Sequence, residues 1–208
     1  MSRNKNEGPA NLREHIFQSG MLKSVVQDGI NFLKSTPVLG LPPPFVFEGS
    51  GVYALYYIGR FELYQKVAKA NAKHVDTPIY VGKAVPPGWR TARISISSNS
   101  ALSNRLNEHA RSIMQCSSLD VKDFRCRFVI LSGNEGDLIV PIEAELIRTF
   151  KPLWNWRIDG FGNHDPGAGR YNQAKSEWDV LHPGRSWAGR LTGESPRLED
   201  IIKKLKSG

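Results

Sequence analysis

Two cysteines, Cys116 and Cys126, in 208 residues are too few for a disulfide framework or a zinc site of their own. They are expected to be reduced core thiols, and the chain a cytoplasmic protein. No run approaches the roughly 20 apolar residues that a bilayer-spanning helix needs, so no membrane partner is expected. The opening MSRNKNEGPANLREH lacks the apolar core of a secretory signal and reads as a flexible polar arm. No segment repeats. Acidic residues are in deficit: 20 Asp and Glu against 28 Lys and Arg leave a net charge of +8. That surplus favours a polyanionic partner, and nucleic acid is the commonest one in cytosol. What remains is ordinary for a globular protein: 40% hydrophobic and 23% charged residues, enough for one domain with a real core and arms.

The pattern along the chain predicts an α+β domain. Within residues 15–34 the apolar positions Ile16, Leu22, Val25, Val26, Ile30 and Leu33 take helical spacing from Leu22 onward. Pro37 and the run Leu41-Pro42-Pro43-Pro44 predict a stiff extended linker, because proline fixes φ and has no N–H to donate. Residues 51–58 are β-branched and aromatic, a strand. Residues 61–75 read as a basic helix and 78–84 as a second strand. A Pro/Gly loop and the polar stretch ISISSNS follow. Residues 101–115 are helical, with Leu102, Leu106, Ile113 and Met114 as the apolar stripe. FRCRFVIL at 124–131 is a third strand. Residues 138–150 form another helix, with Pro141 tolerated in its first turn. From 157 the chain is rich in Gly, Pro, Arg and Trp, and a polar helix is expected over 197–206.

The stretch GVYALYYIGR holds two related tripeptides, Gly51-Val52-Tyr53 and Tyr57-Ile58-Gly59. Side chains four apart on a strand share a face, and nothing between these tyrosines reverses the chain. They cannot sit on two neighbouring strands. Tyr80-Val81-Gly82 is the better partner for Tyr53, on a strand of its own, with Lys83 next to it. Further along, Arg105 and His109 are four apart on one helix face. Glu143 precedes Leu146, Ile147 and Phe150 by three, four and seven, which puts its carboxylate on the stripe that meets the sheet. Asn155 follows in KPLWN.

In this order the residues resemble the GIY-YIG nuclease superfamily, which carries a tyrosine on each of two adjacent strands, a helical Arg and His, a metal-binding Glu on a later helix and an Asn after it. The chain departs from the usual pattern in the length of the insert between the tyrosine strands. LPPP before GVYALYY, IYVGKAVPPGWR, and DGFGNHDPGAGR with AKSEWDVLHPGR look like the subgroup of type II restriction endonucleases that cut the palindrome CCGCGG. The resemblance spans nearly the whole chain. It implies a small central antiparallel-rich sheet of about three strands flanked by helices. The core would cover 51–156, with the insert at 60–78. Residues 1–50 would supply an arm, helix and proline-rich linker, and 157–208 a C-terminal extension for DNA binding or dimerisation.

The resemblance also implies the chemistry. Tyr53, Tyr80, Lys83, Arg105, His109, Glu143 and Asn155 are the expected catalytic residues. Glu143 would hold one Mg²⁺, for which Mn²⁺ can substitute, with waters and phosphate oxygens completing the shell. Tyr53 is general base or water-orienting group, and a phenol with pKa near 10 needs nearby cations or a second base to act so. Arg105 suits the scissile phosphate, Tyr80 a hydrogen bond to nucleophile or phosphate, and Asn155 the site's geometry. The other histidines (His15, His74, His164, His182) carry no expected role. A palindromic double-stranded DNA calls for two sites related by a two-fold axis, hence a homodimer. A bacterial cytoplasmic setting follows, with a cognate methyltransferase acting on the same DNA site without being bound. Guanine reading is expected from Arg90 and Arg93 beside Trp89, and from Arg170, Lys175 and Arg185 in the tail. Phosphate contacts are expected from Lys66, Lys69, Lys73 and His74. Two alternatives are a DNA-binding module without catalysis and a structure-selective repair or mobile-element nuclease. An intact residue set argues against the first, and the lack of room for a separate DNA-binding module argues against the second.

Overall fold

The computed structural model of the protein describes residues 12–86, 88–89 and 99–207. Arg90, Arg93, residues 94–98 of the polar stretch and most of the expected N-terminal arm lie outside the described residues. The fold is α+β, with an antiparallel four-stranded open sheet flanked by helices.

Three strands form where β-branched and aromatic residues concentrate: β2 (Gly51–Tyr57), β3 (Pro78–Ala84) and β4 (Phe124–Ile130). The fourth, β1 (Leu39–Gly40), pairs with Cys126 and Arg125 of β4. The expected linker thus contributes a short strand just ahead of its prolines, which need no ladder donor there. The order is β1-β4-β2-β3, so β2 is central and β3 is at the edge. Along β2, Tyr53 lies opposite Gly82, and Leu55 opposite Tyr80.

Alternation along β2 divides the interior in two. Val52, Ala54 and Tyr56 face a smaller cluster formed with α1 (Gly20–Ser35) and α4 (Ile139–Phe150), through Val26, Ile30 and Leu33 on one helix and Ile139, Ile142 and Leu146 on the other. Tyr53, Leu55 and Tyr57 face the larger cluster. There they meet Leu102, Leu106 and Ile113 of α3 (Ala101–Met114). Tyr53 and Tyr57 therefore share a face, and Tyr57 Oη accepts a hydrogen bond from the Phe61 N–H at 2.8 Å, away from Tyr80.

The larger cluster is completed by the tail. Trp154 of α5 (Leu153–Trp156), Phe161, and Trp178 of α6 (Glu177–Leu181) are buried against one another, with Ile201 and Leu205 of α7 (Leu198–Lys206) beyond them.

Several local expectations are corrected. α1 begins at Gly20, where the Ser19 hydroxyl caps Leu22 N–H at 3.2 Å, so Ile16 precedes it and is exposed. Leu22 and Val25 are also exposed; Leu22 faces a groove lined by Pro141, Glu145 and Arg148 instead of an apolar partner. Met114 is exposed because Ile113, one position earlier, takes the inward direction of the stripe. The helix expected over 61–75 is a 3₁₀ turn followed by a short α2 (Gln65–Ala70). Asn71 ends it. Its amide donates to Tyr57 O at 3.1 Å and Thr77 O at 2.8 Å, and its carbonyl accepts from Thr77 N–H at 2.9 Å. That side chain folds the rest of the insert back into the strand pair. No helix among the described residues is long and apolar enough to cross a membrane.

Candidate active site

The edge strand β3 carries Tyr80 into the larger cluster and turns Val81 to the other face. Gly82 follows, directly opposite Tyr53. A Cβ at Gly82 would collide with the Tyr53 hydroxyl and ring, so this position must be bare for the phenol to lie across the strand. The rings of Tyr53 and Tyr80 are 6.2 Å apart. Gly82→Ala is expected to overpack this crossing at a cost of about 1–3 kcal/mol. The displaced phenol should cost the cleft its activity well before the fold is lost, read by an assay of DNA hydrolysis, the activity the sequence resemblance implies, beside a thermal melt.

Helix α3 brings Arg105 and His109 to the same place one turn apart. His109 Nε2 lies 2.5 Å from Tyr53 Oη. The imidazole is buried, and Phe161 stacks on it at 4.5 Å. Burial, then the positive charge of Arg105, pushes the His109 pKa well below the usual imidazole range. Burial likewise pushes the Tyr53 phenol well above its ordinary value; Tyr80 adds to this and Arg105 opposes it. Tyr80 is raised too, by burial, with Arg105 pulling the other way. The resting pair is neutral tyrosine and neutral histidine, with one proton between them.

Arg105 Nη2 donates to Gly162 O at 2.6 Å, and Nη1 to Glu108 Oε2 at 2.8 Å and to the His164 ring at 2.8 Å. A Cβ at Gly162 would come within 2.5 Å of the Tyr80 hydroxyl. Helix α4 supplies Glu143, whose carboxylate accepts from Lys83 Nζ and whose side chain is 15% exposed. Asn155, in α5, pins the strand that bears Tyr80: its Oδ1 accepts from Val81 N–H and its Nδ2 donates to Val81 O, each at 2.8 Å.

Tyr53, Tyr80, Lys83, Arg105 and Glu143 thus line one cleft of 470 Å³, with His109 beneath Tyr53 and Asn155 behind β3. Glu108 and His164 also line it, and neither was expected from the sequence. Glu108 is one turn from Arg105, a signal that helical spacing does hold. His164, Phe161 and Gly162 come from a segment with no period to read.

The expected DNA contacts scatter. Lys66, Lys69, Lys73 and His74 are exposed, but none lines the cleft. Arg170 is exposed and borders a neighbouring cavity that shares His164 with the cleft, while Lys175 is half-buried. Arg185 must be corrected. It is 2% exposed and cannot reach a base. Its guanidinium forms two hydrogen bonds of 2.7 Å to Asp179 and donates to the carbonyls of Gly160, Phe161 and Asn163. It lies between the rings of Trp178 and Trp187, at 4.7 and 4.6 Å from their centroids. This cation holds the 160–164 segment over His109 and Arg105.

Among the described residues no three His, Cys, Asp or Glu side chains cluster as a metal cage. The cleft offers hard oxygen donors, and Glu143 already holds a cationic side chain. That set fits a cation with few protein ligands whose remaining shell is water and phosphate oxygen. No curated protein matches the chain. A family model described as the Eco29kI GIY-YIG domain matches residues 45–207. With that match covering most of its length, the chain belongs to the Eco29kI family of GIY-YIG restriction endonucleases.

Proposed function

We propose that the protein is a type II restriction endonuclease that cuts both strands of CCGCGG after the fourth base, leaving a two-base 3′ overhang. It acts as a homodimer, with one Mg²⁺ on Glu143 of each copy, or Mn²⁺ in its place. A cognate methyltransferase protects the same site without being bound. The observation that carries this reading is the convergence of two phenols, a guanidinium and one carboxylate on a single cleft.

When bound, the metal supplies Lewis acidity that offsets phosphoryl charge and eases departure of the 3′ oxygen. The chain's own groups do the rest. Tyr53 orients the attacking water and takes a proton from it as its own proton passes to His109 Nε2, 2.5 Å away. Burial disfavours a resting imidazolium, so the proton that His109 takes passes on to water in the adjoining cavity that His109 lines with Ser112 and Gln115. Arg105 offers its fork to the non-bridging oxygens, exchanging the Glu108 carboxylate for phosphate. Tyr80 donates its hydroxyl to the same phosphate. Asn155 keeps the Tyr80 backbone fixed. Lys66, Lys69 and Lys73 in the insert serve the phosphate backbone, and Arg170 and Lys175 the flanks of the site.

Digestion of a mapped plasmid in Mg²⁺, with the ends sequenced, tests this directly. Double-strand breaks at CCGCGG alone, abolished by a chelator, are expected. Cleavage confined to branched DNA, or at unrelated sequences, overturns the specificity assignment.

A further inference from the structure

Lys83 holds Glu143, one of the two carboxylates that line the cleft among the described residues. The other, Glu108, is paired with Arg105. Strand β3 turns Lys83 toward α4, where its ammonium meets the Glu143 carboxylate. The two side chains differ in exposure: Glu143 is 15% exposed and Lys83 is 36% exposed. A half-buried carboxylate is costly without a partner, whereas the lysine's end stays within reach of solvent. An ammonium on a four-carbon stem is a point charge that can leave by rotating its stem, unlike a planar guanidinium that grips in two places.

We propose that Lys83 is a cation surrogate. In the DNA-free protein its ammonium occupies the divalent-cation position on Glu143, and it gives up that position when a DNA phosphate enters the cleft. The proposal rests on reading Glu143 as the metal ligand and adds an order of events to it. Without DNA, a divalent ion must displace the ammonium and finds few protein oxygens in return. With DNA, phosphate oxygens fill the metal's shell and at the same time give Lys83 a new anion. DNA and metal then reinforce each other's binding by the same factor in both directions. Metal loading is weak in the free protein and strengthened in the complex with DNA.

Mn²⁺ binding to the whole protein, followed by titration calorimetry and by the paramagnetic resonance of the free ion, tests this without any cleavage readout. Lys83→Met is expected to bind Mn²⁺ about tenfold more tightly than the native protein in the absence of DNA. Lys83→Arg, which keeps and strengthens the grip on Glu143, is expected to bind it more weakly. With an uncleavable DNA duplex present, the native protein and Lys83→Met should converge in affinity. If Lys83→Met binds Mn²⁺ no more tightly than the native protein, the surrogate role is overturned. Should Lys83→Met fail to fold, Lys83→Arg decides: unchanged or tighter binding overturns the proposal. Glu143→Gln separates the two levels, since undiminished Mn²⁺ binding in the DNA complex would remove the ligand assignment itself.

Discussion

Glu143→Gln is expected to lower DNA cleavage by about 10³-fold or more while leaving DNA binding in place. The amide keeps the size of the side chain and loses the charge. Among the described residues the cleft holds one other acid, Glu108, and it lies on α3 beside Arg105 and His164 and not beside Lys83 where Glu143 sits. A charge stabilised at the reacting phosphate by several kcal/mol is lost at about 1.36 kcal/mol per tenfold. The basic surface that attracts DNA is untouched, and removing one negative charge from the cleft favours phosphate if anything. Filter binding or fluorescence anisotropy in metal-free buffer, where metal–DNA coupling plays no part, beside plasmid cleavage in Mg²⁺ measures both. Normal cleavage by the variant would show that Glu143 holds nothing essential; lost binding would show that its role is structural.

Arg185→Ala is the second large effect, and it is one of stability first. The substitution strands Asp179, itself 3% exposed, without its cation and leaves the carbonyls of Phe161 and Asn163 without their donor, while Gly160 O keeps only the Asn163 N–H. Breaking a buried ion pair from one side costs about 3–5 kcal/mol. For a chain of this length the melting midpoint should fall by about 10 °C or more. Cleavage measured well below that midpoint should still drop by about 10–100-fold, because the segment that backs His109 and Arg105 is no longer held. Arg185→Lys should fail similarly, since one ammonium cannot serve a bidentate carboxylate and three carbonyls together. A variant that melts like the native protein yet binds DNA poorly would return Arg185 to the DNA surface and overturn its role as an internal clamp.

Much of this architecture is legible in the residues because it is periodic. β2 could be read as a strand whose tyrosines share a face, which is what separated Tyr57 from Tyr80. Helix α3 announced itself by Leu102, Leu106 and Ile113, and the same spacing put Arg105 and His109 side by side. In α4 the position of Glu143 on the apolar stripe fixed where its carboxylate would point. What escaped reading lacks a period. β1 is two residues long, too short to alternate. The insert helix stops early because Asn71 bonds to backbone groups six residues on and fourteen residues back, and propensity does not register such partners. Arg185 looked like a surface cation since its burial depends on Asp179 and two indoles that only the folded tail assembles. His164 reaches Arg105 across 59 positions through a loop of glycines and a proline.

The carboxamide of Asn155 has a consequence for how two copies can meet. β3 is the open margin of the sheet, and an open margin invites another chain to continue the ladder. At Val81 both outward-facing backbone groups are already taken by a side chain that mimics a strand. The rung is filled, so a ladder continued from this border would be interrupted at Val81. Any contact between copies is thereby steered to the β1 edge or to helix and loop surfaces, and the side of β3 beside the cleft is left to an approaching duplex.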